Sequence, residues 1–178
     1  MRSGARPPPL FWALAAAILI GDLVTKRIVE LHLLPVPPIP VVGEWIQLRL
    51  VYNQGAAFGI DLGPYSRWIF MVLAVIAVVL LYRLSKGSPR SDRLRHLACG
   101  LVAGGAVGNL VDRLRHANGV VDFIDVGVGL HRWPTFNLAD IGVSCGAILL
   151  AISLWIEDSR RRREESSPPP PASSARGA

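Results

Sequence analysis

Charge is scarce in this chain: Asp, Glu, Lys and Arg make up 18% of its 178 residues, against roughly 25% in an ordinary soluble domain. Cysteine occurs twice, as Cys99 and Cys145, both inside apolar runs, so neither a disulfide framework nor a cysteine metal site is encoded. The four histidines (His32, His96, His116, His131) are scattered without metal-ligand spacing. No G-x-x-x-x-G-K loop is present to cradle a nucleotide phosphate, and no Ser/His or Cys/His arrangement marks a nucleophile. The length supports about one domain. These absences exclude a multidomain enzyme, a zinc module and a disulfide-stapled secreted domain. The net charge of +6 and pI near 10.1 raise the question of nucleic acid, and the placement of the charges answers it against.

What the chain has instead is apolar length: 51% of residues are hydrophobic and the mean hydropathy is +0.39. Four uncharged runs stand out: Pro7–Gly21, Trp68–Tyr82, Leu97–Val111 and Ile141–Ile156. Each is 15 or 16 residues long, short of the roughly 17–25 that cross a bilayer, so each span takes a turn from its flanks. The second run is the most apolar, with ten Leu, Ile, Val or Phe residues. The third has six and then meets Asp112, which costs about 2.5–3.5 kcal/mol at mid-membrane. That span needs neighbours, and Asp112 belongs near its end. Gly100, Gly104 and Gly108 recur every fourth residue, putting small residues on one helical face for close approach of another helix. Gly142 and Gly146 repeat the device in the fourth run. The expected fold is an all-α membrane protein, a bundle of four transmembrane helices.

The first run also has features of a signal peptide: a basic start with Arg2 and Arg6, then an apolar stretch ending in small residues. Three further spans, and Asp22 and Lys26 directly after the run, favour a retained helix. Of the 19 basic residues, twelve fall in the N-terminal tail, the Arg83–His96 loop and the C-terminal tail, while seven fall in the other two loops with eight acids. The two sides carry net charges of +7 and −1. By the positive-inside rule both termini are cytoplasmic, and the basic pI is explained by the membrane without nucleic acid. Residues 1–158 form the membrane domain, and residues 159–178 an Arg-rich, then Ser/Pro-rich tail that is expected to be disordered. The Arg160–Arg163 cluster borders a span and can meet anionic headgroups. The segment from Arg27 to Arg67 holds Pro35, Pro37, Pro38 and Pro40, then Trp45–Tyr52, where Ile46, Leu48 and Leu50 alternate with Gln47 and Arg49. A small strand-rich cap is expected between helices 1 and 2. The second outer segment, Arg115 to Asn137, is shorter and glycine-punctuated.

Polar residues intrude on the spans at one end only. Span one ends in Asp22 and Lys26, an i,i+4 pair; span three ends in Asn109, Asp112 and Arg113; span four begins with Asn137 and Asp140; and Asp122 lies among apolar neighbours. Ionisable groups close to hydrocarbon are costly and mark functional sites. Structural roles compete: a helix-end ion pair for Asp22 and Lys26, a helix tie for Asn109, Asp112 and Arg113, an N-cap for Asn137. Two carboxylates in a poorly solvated site hold one proton between them, the state needed for acid–base hydrolysis. Spacing alone leaves Asp112, Asp122 and Asp125 as candidate partners for Asp140. Arg113 beside Asp112 is expected to hold that carboxylate ionised, which suits a scaffold better than a shared-proton pair. An ion- or proton-coupled transporter is the rival reading, but a conduction path needs polar residues across the bilayer, and the inner halves of the spans are apolar apart from Ser153 and Cys99.

Five segments taken in order, Asp22–Lys26, Asn53–Phe58, Gly104–Arg113, Val120–Asp125 and Phe136–Asp140, are similar to the motifs of the lipoprotein signal peptidases (signal peptidase II), bacterial intramembrane aspartic peptidases. The resemblance implies Asp122 and Asp140 as the catalytic pair. It implies that Asn53, Gly55, Asn109, Asp112, Arg113 and Asn137 line the pocket or support that pair, with Asp22 and Lys26 a structural pair near the site. It further implies a strand-rich cradle over the site and cleavage just before a lipobox cysteine carrying diacylglyceryl. No metal or other cofactor, inhibition by globomycin-type compounds, a bacterial inner-membrane location and a site near the extracytoplasmic face follow from the same likeness. A monomer is expected, since a four-span bundle with its own site needs no partner.

Overall fold

The computed structural model describes residues 6–33, 37–55 and 63–166. Four long helices dominate: α1 (Pro9–His32), α2 (Ser66–Gly87), α3 (Arg93–Arg115) and α4 (Leu138–Ser166). All four are long and apolar enough to cross a membrane. Each extends beyond its uncharged run into the flanks, as the run lengths require. α1 enters through Pro9 at its first position, where a missing N–H costs nothing. α3 starts at Asp92, whose carboxylate accepts from the Arg95 N–H, an N-cap that satisfies an otherwise orphaned donor.

α3 is the centre of the bundle and packs against the other three helices. Half of its most apolar window is buried, against 17% for α1 and for α2. That explains why the least apolar span survives: its neighbours, not lipid, surround it. The Gly100/Gly104/Gly108 face lies along α1, against Phe11, Ala15 and Asp22 in turn. Gly105 meets α4 at Ala139, and Gly142 and Gly146 of α4 return the fit against α1 and α3. Large apolar side chains point outward instead, among them Ile20, Val24 and Ile28 of α1, Val72, Val75, Ile76 and Val79 of α2, and Ile148 and Ile152 of α4. Such a belt suits hydrocarbon and is untenable in water.

Between the helices lies a four-stranded antiparallel sheet in the order β1 (Ile39–Val42), β2 (Ile46–Asn53), β3 (Val120–Val128), β4 (His131–Arg132). The cap expected between helices 1 and 2 is therefore half of a sheet, and the segment after α3 supplies the rest. β2 occupies nearly the span that alternation indicated, with Leu48 and Leu50 against the Val29, Leu33 and Phe123 cluster. Both segments join helices at the same end of the bundle, so the sheet sits wholly at that end. Gly119 turns the chain into β3 with φ +105° beside the Asn53 carbonyl, a conformation and a clearance that a side chain would deny.

α4 continues to Ser166, so Arg160–Arg163 are helical, beyond the domain boundary expected at 158. At 29 residues it is about 43 Å long, more than the roughly 30 Å of hydrocarbon, and its charged last turns project past the apolar belt. Residues 167–178, most of the expected tail, lie outside the described residues, as do Arg2, Pro35, Asp61 and the Ala56–Phe58 end of the second motif.

A Cβ at Gly104 would be pressed against the backbone of Ala15, whereas nothing lies within 4 Å of one at Gly87. Gly104→Val is expected to destabilise by about 1–3 kcal/mol through overpacking, and Gly87→Ala to be near neutral. Unfolding in detergent checks both; equal stability of the two variants would refute the close α1–α3 contact.

Candidate active site

The site begins with one buried ammonium. Lys26 Nζ lies 2.7 Å from Asp22 Oδ2 and 2.7 Å from Asp112 Oδ2, and donates to Asn109 Oδ1 at 3.0 Å. Three oxygens, two of them anionic, thus lie within 3.0 Å of the one ammonium. Lys26 is 2% exposed, Asp22 0% and Asp112 1%. Both carboxylates carry the connection further. Asp22 Oδ1 accepts the Ala139 N–H at 2.9 Å, in the first turn of α4, and Asp112 Oδ2 accepts the Val121 N–H at 3.1 Å, in β3. One cation thereby fixes α1, α3, α4 and β3 relative to one another. The i,i+4 pair read from sequence is present, but Asp112 takes Lys26 as its partner and not the adjacent Arg113. At the end of α3 the two side chains leave the helix in different directions. The Arg113 guanidinium donates to the Gly55 carbonyl at 2.8 Å and lies over the Phe70 ring.

Asn137 and Asp140 form a reciprocal cap on α4. Asn137 Oδ1 accepts the Asp140 N–H at 2.9 Å, and Asp140 Oδ2 accepts the Asn137 N–H at 3.1 Å, the capping-box geometry. A backbone N–H can only donate, so the atom facing it must be the oxygen of Asn137, and its amide nitrogen faces the other way. There Nδ2 donates to Asp122 Oδ1 at 2.7 Å and lies 3.1 Å from Asn109 Oδ1. Asn109 orients itself by the same logic: its oxygen takes Lys26, and its Nδ2 donates to Asp140 Oδ1 at 2.8 Å. Asn137 is thus a helix cap and a hydrogen-bond donor to the Asp122 carboxyl at once.

The sheet brings Asp122 to this point. β2 pairs with β3 so that Asn53 lies opposite Val120 and Val51 opposite Asp122. On the other edge of β3, Phe136 bridges Ile124, which delivers Asn137 and the start of α4. Asn53 Oδ1 accepts the Gly55 N–H at 2.9 Å, an Asx turn, leaving Nδ2 to donate to Asp122 Oδ2 at 2.9 Å. Each oxygen of Asp122 therefore has an amide donor. Burial is the largest influence on this carboxyl and the charge of Asp140 the next; together they outweigh the two amides and Lys26 and push its pKa up to about 7.

Asp122 and Asp140 both line one cavity of about 310 Å³. Asn53, Gly55, Asn109 and Arg113 line it as well, and Trp133, Phe136, Ile141 and Cys145 add apolar wall. The three candidate partners of Asp140 are now separated. Asp112 is committed to Lys26 and Val121 behind the site, and Asp125 to Arg132 at 2.7 Å on the other face of β3; only Asp122 shares a cavity with Asp140. Sequence reasoning missed the 133–136 wall, because its strand pairing with β3 is a single bridge with no alternation to reveal it. It also missed a second buried polar group at the opposite end of the bundle, where Ser85 Oγ meets His96 Nδ1 at 2.9 Å and Arg95 is 6% exposed. Between the two ends the core is apolar, built of Phe11, Leu81, Cys99 and Ala103.

Four spans, an apolar belt and a cavity with two carboxylates sunk at one end define a multi-pass membrane protein with a hydrolase-like site. The comparisons with known proteins narrow that class. The family model for Signal peptidase (SPase) II matches residues 14–156. The chain is 39% identical over 163 residues to a lipoprotein signal peptidase of Rhodococcus jostii, covering 84% of this chain and 78% of that one. It is 42% identical over 157 residues to one of Xanthomonas campestris, covering 85% and 92%. A solved structure described as a bacterial membrane enzyme superposes with a TM-score of 0.76 at 28% identity, covering 87% of this chain and 94% of that chain. The chain belongs to the signal peptidase II family of bacterial membrane proteases. Nothing in these comparisons supports the transporter reading.

Lys26→Met would strand Asp22 and Asp112 as buried, unpaired charges. A loss of about 3–5 kcal/mol in unfolding stability is expected, with most of it regained in the triple variant Lys26→Met, Asp22→Asn, Asp112→Asn. A single variant as stable as the parent would show that the cluster does not hold the fold.

Proposed function

We propose that this chain is an aspartic endopeptidase of the membrane. It removes the signal peptide from prolipoproteins whose lipobox cysteine carries diacylglyceryl, and cuts just before that cysteine. Asp122 and Asp140 are its catalytic pair. The observation that carries this reading is their meeting in one cavity, with Asn137 and Asn109 holding the two carboxyls in place. A shared proton is the functional state. The ionised member takes a proton from water as the water attacks the scissile carbonyl, and the protonated member hydrogen-bonds the carbonyl oxygen as charge develops there. Collapse of the tetrahedral intermediate breaks the C–N bond, and the departing amine takes up the proton.

The remaining residues have roles that follow from their contacts. Asn53 and Asn137 fix the Asp122 carboxyl, Asn109 fixes Asp140, and Arg113 pins the Asn53–Gly55 turn through the Gly55 carbonyl. Asp22, Lys26 and Asp112 hold these elements from behind. The apolar wall suits a substrate anchored by lipid, where each buried CH₂ is worth about 0.8 kcal/mol; recognition then needs few polar contacts.

The membrane in question is the bacterial inner membrane, with both termini cytoplasmic and the site near the extracytoplasmic face. Net charges of +7 and −1 on the two sides support that orientation. A working monomer is proposed, since a four-span bundle that holds its own site needs no partner, and globomycin-type compounds are expected to block it.

The decisive test is cleavage in proteoliposomes of a diacylglyceryl-modified prolipoprotein, with its unlipidated precursor as control. Lipid-dependent cleavage is expected from the parent chain. Asp122→Asn and Asp140→Asn should each lower turnover by about 10³-fold or more without unfolding the protein, while Asp125→Asn should stay near the parent rate. Normal turnover by Asp122→Asn would sink the assignment. Because a proton must be retained on the pair, turnover should fall as pH rises through about 7. Asn53→Ala removes a donor that favours the ionised form of Asp122, so its falling limb should lie at higher pH. A limb that moved to lower pH would contradict this account.

A further inference from the structure

At the end of the bundle opposite the sheet, a cavity of about 500 Å³ opens between the start of α3 and the last turns of α4. We propose that it takes the phosphate of an anionic phospholipid. Arg95 forms its back wall. Its guanidinium meets Asp92 at 3.2 Å, Glu157 at 2.6 Å, and the hydroxyls of Ser88 and Ser153 at 3.4 Å each. Glu157 is held in addition by Arg161 at 2.6 Å. Both carboxylates that face the cavity are therefore already neutralised by arginines of the fold.

Two cations remain. Arg93, from α3, and Arg160, from α4, line the cavity from its two sides. Both are exposed, and neither has an acceptor among the described residues. A pair of unengaged guanidinium groups across one cavity calls for an anion with several oxygens in a compact group, and phosphate fits that fork geometry. Ser91 adds a hydroxyl to the same lining.

The surroundings choose between a free phosphate and an esterified one. Leu94 and Ile156 give the cavity an apolar part. One turn back along α4, and adjacent to it, Ile152 is 42% and Trp155 70% exposed, on a helix that belongs to the apolar belt. A phosphate that carries acyl chains fills the polar cavity and covers these side chains together; a free anion fills only the former. The cavity also lies at the edge of the most basic stretch of the chain, Arg160–Arg163, which draws an anionic leaflet to it. The proposal is independent of the chemistry at the other end of the bundle.

The test is a titration of the full chain, purified in neutral detergent, with short-chain phosphatidylglycerol, short-chain phosphatidylcholine or inorganic phosphate. Retained lipid is read by native mass spectrometry and the unfolding midpoint by a thermal scan. Phosphatidylglycerol should bind about tenfold or more tighter than phosphatidylcholine and raise the midpoint. The double variant R93Q/R160Q should lose that preference, while R162Q/R163Q, which removes the same charge outside the cavity lining, should keep it. Since Arg93 and Arg160 are exposed and unengaged, their replacement leaves no buried group stranded; should the double variant nevertheless fold poorly, the single variants R93Q and R160Q decide, each with a partial loss. Equal losses in the two double variants, or no preference over phosphatidylcholine, would overturn the site. Displacement of phosphatidylglycerol by inorganic phosphate at matched concentration would reassign it to a free anion and overturn the lipid.

Discussion

Lys26 is the constraint on which the rest of the structure depends. An ammonium taken out of water costs several kcal/mol unless each of its donors is met, and in this fold the oxygens come from three different places: its own helix, and two residues of α3 one turn apart. The requirement is geometric as much as electrostatic. Asp112 and Asn109 reach Lys26 only if α3 lies close along α1, and the glycine face of α3 permits that approach. Gly108 in particular faces the Asp22 carboxylate, so a side chain there would compete with the ion pair itself. Small residues and the buried charge are two halves of one device.

From that anchor the candidate site follows in short steps. Besides Lys26, each of Asp22 and Asp112 accepts a backbone N–H of another element: Asp22 that of Ala139 on its second oxygen, and Asp112 that of Val121 on the same oxygen that meets Lys26. Those two amides lie directly beside Asp140 and Asp122 in sequence. The scaffold acids thus act on the chain next to the candidate pair and leave the pair itself free for the cavity. The asparagines complete the division of labour. An asparagine presents a fixed donor and a fixed acceptor, so Asn137 can cap a helix and hold Asp122 in one orientation, and Asn109 can join Lys26 to Asp140. An aspartate in either place would add a negative charge to a region that already holds Asp22, Asp112, Asp122 and Asp140 against Lys26 and Arg113. With one proton on the pair, that set is left one charge short of neutral, and the deficit favours retention of the proton.

Much of this was legible in the sequence, for reasons that can be named. The four spans, the i,i+4 relation of Asp22 and Lys26, and the shared face of Gly100, Gly104 and Gly108 are local facts of helical periodicity. The concentration of polar residues at one end was legible because a bilayer forbids them elsewhere. What could not be read was long-range pairing. β3 contains a glycine and two aspartates and carries no clean alternation, since it is buried on both faces at its start. It becomes a strand because β2 and the 136 segment are beside it. The partner of Asp112 was misread for the same reason. Adjacency in sequence suggested Arg113, but residues i and i+1 of a helix leave it about 100° apart, and the nearest cation in space is on another helix. The Arg95 and Ser85–His96 group escaped notice because its members are spread over three helices and a loop, at spacings that resemble solvated helix ends.

Asn109 shows why stability and activity are hard to separate in such a molecule. Its oxygen belongs to the Lys26 cluster and its nitrogen to Asp140, so one side chain carries the fold's anchoring cation to within a single hydrogen bond of the candidate site. The chain has little room to arrange it otherwise. Four spans offer one polar end with a short loop and a longer one, and buried charges must be clustered to be tolerable at all. Clustering brings the structural ion pair and the candidate carboxylates into one connected network. A substitution in the anchor must then shift the site as well as loosen the bundle, while the length of the spans sets the arginine network at the far end apart from both.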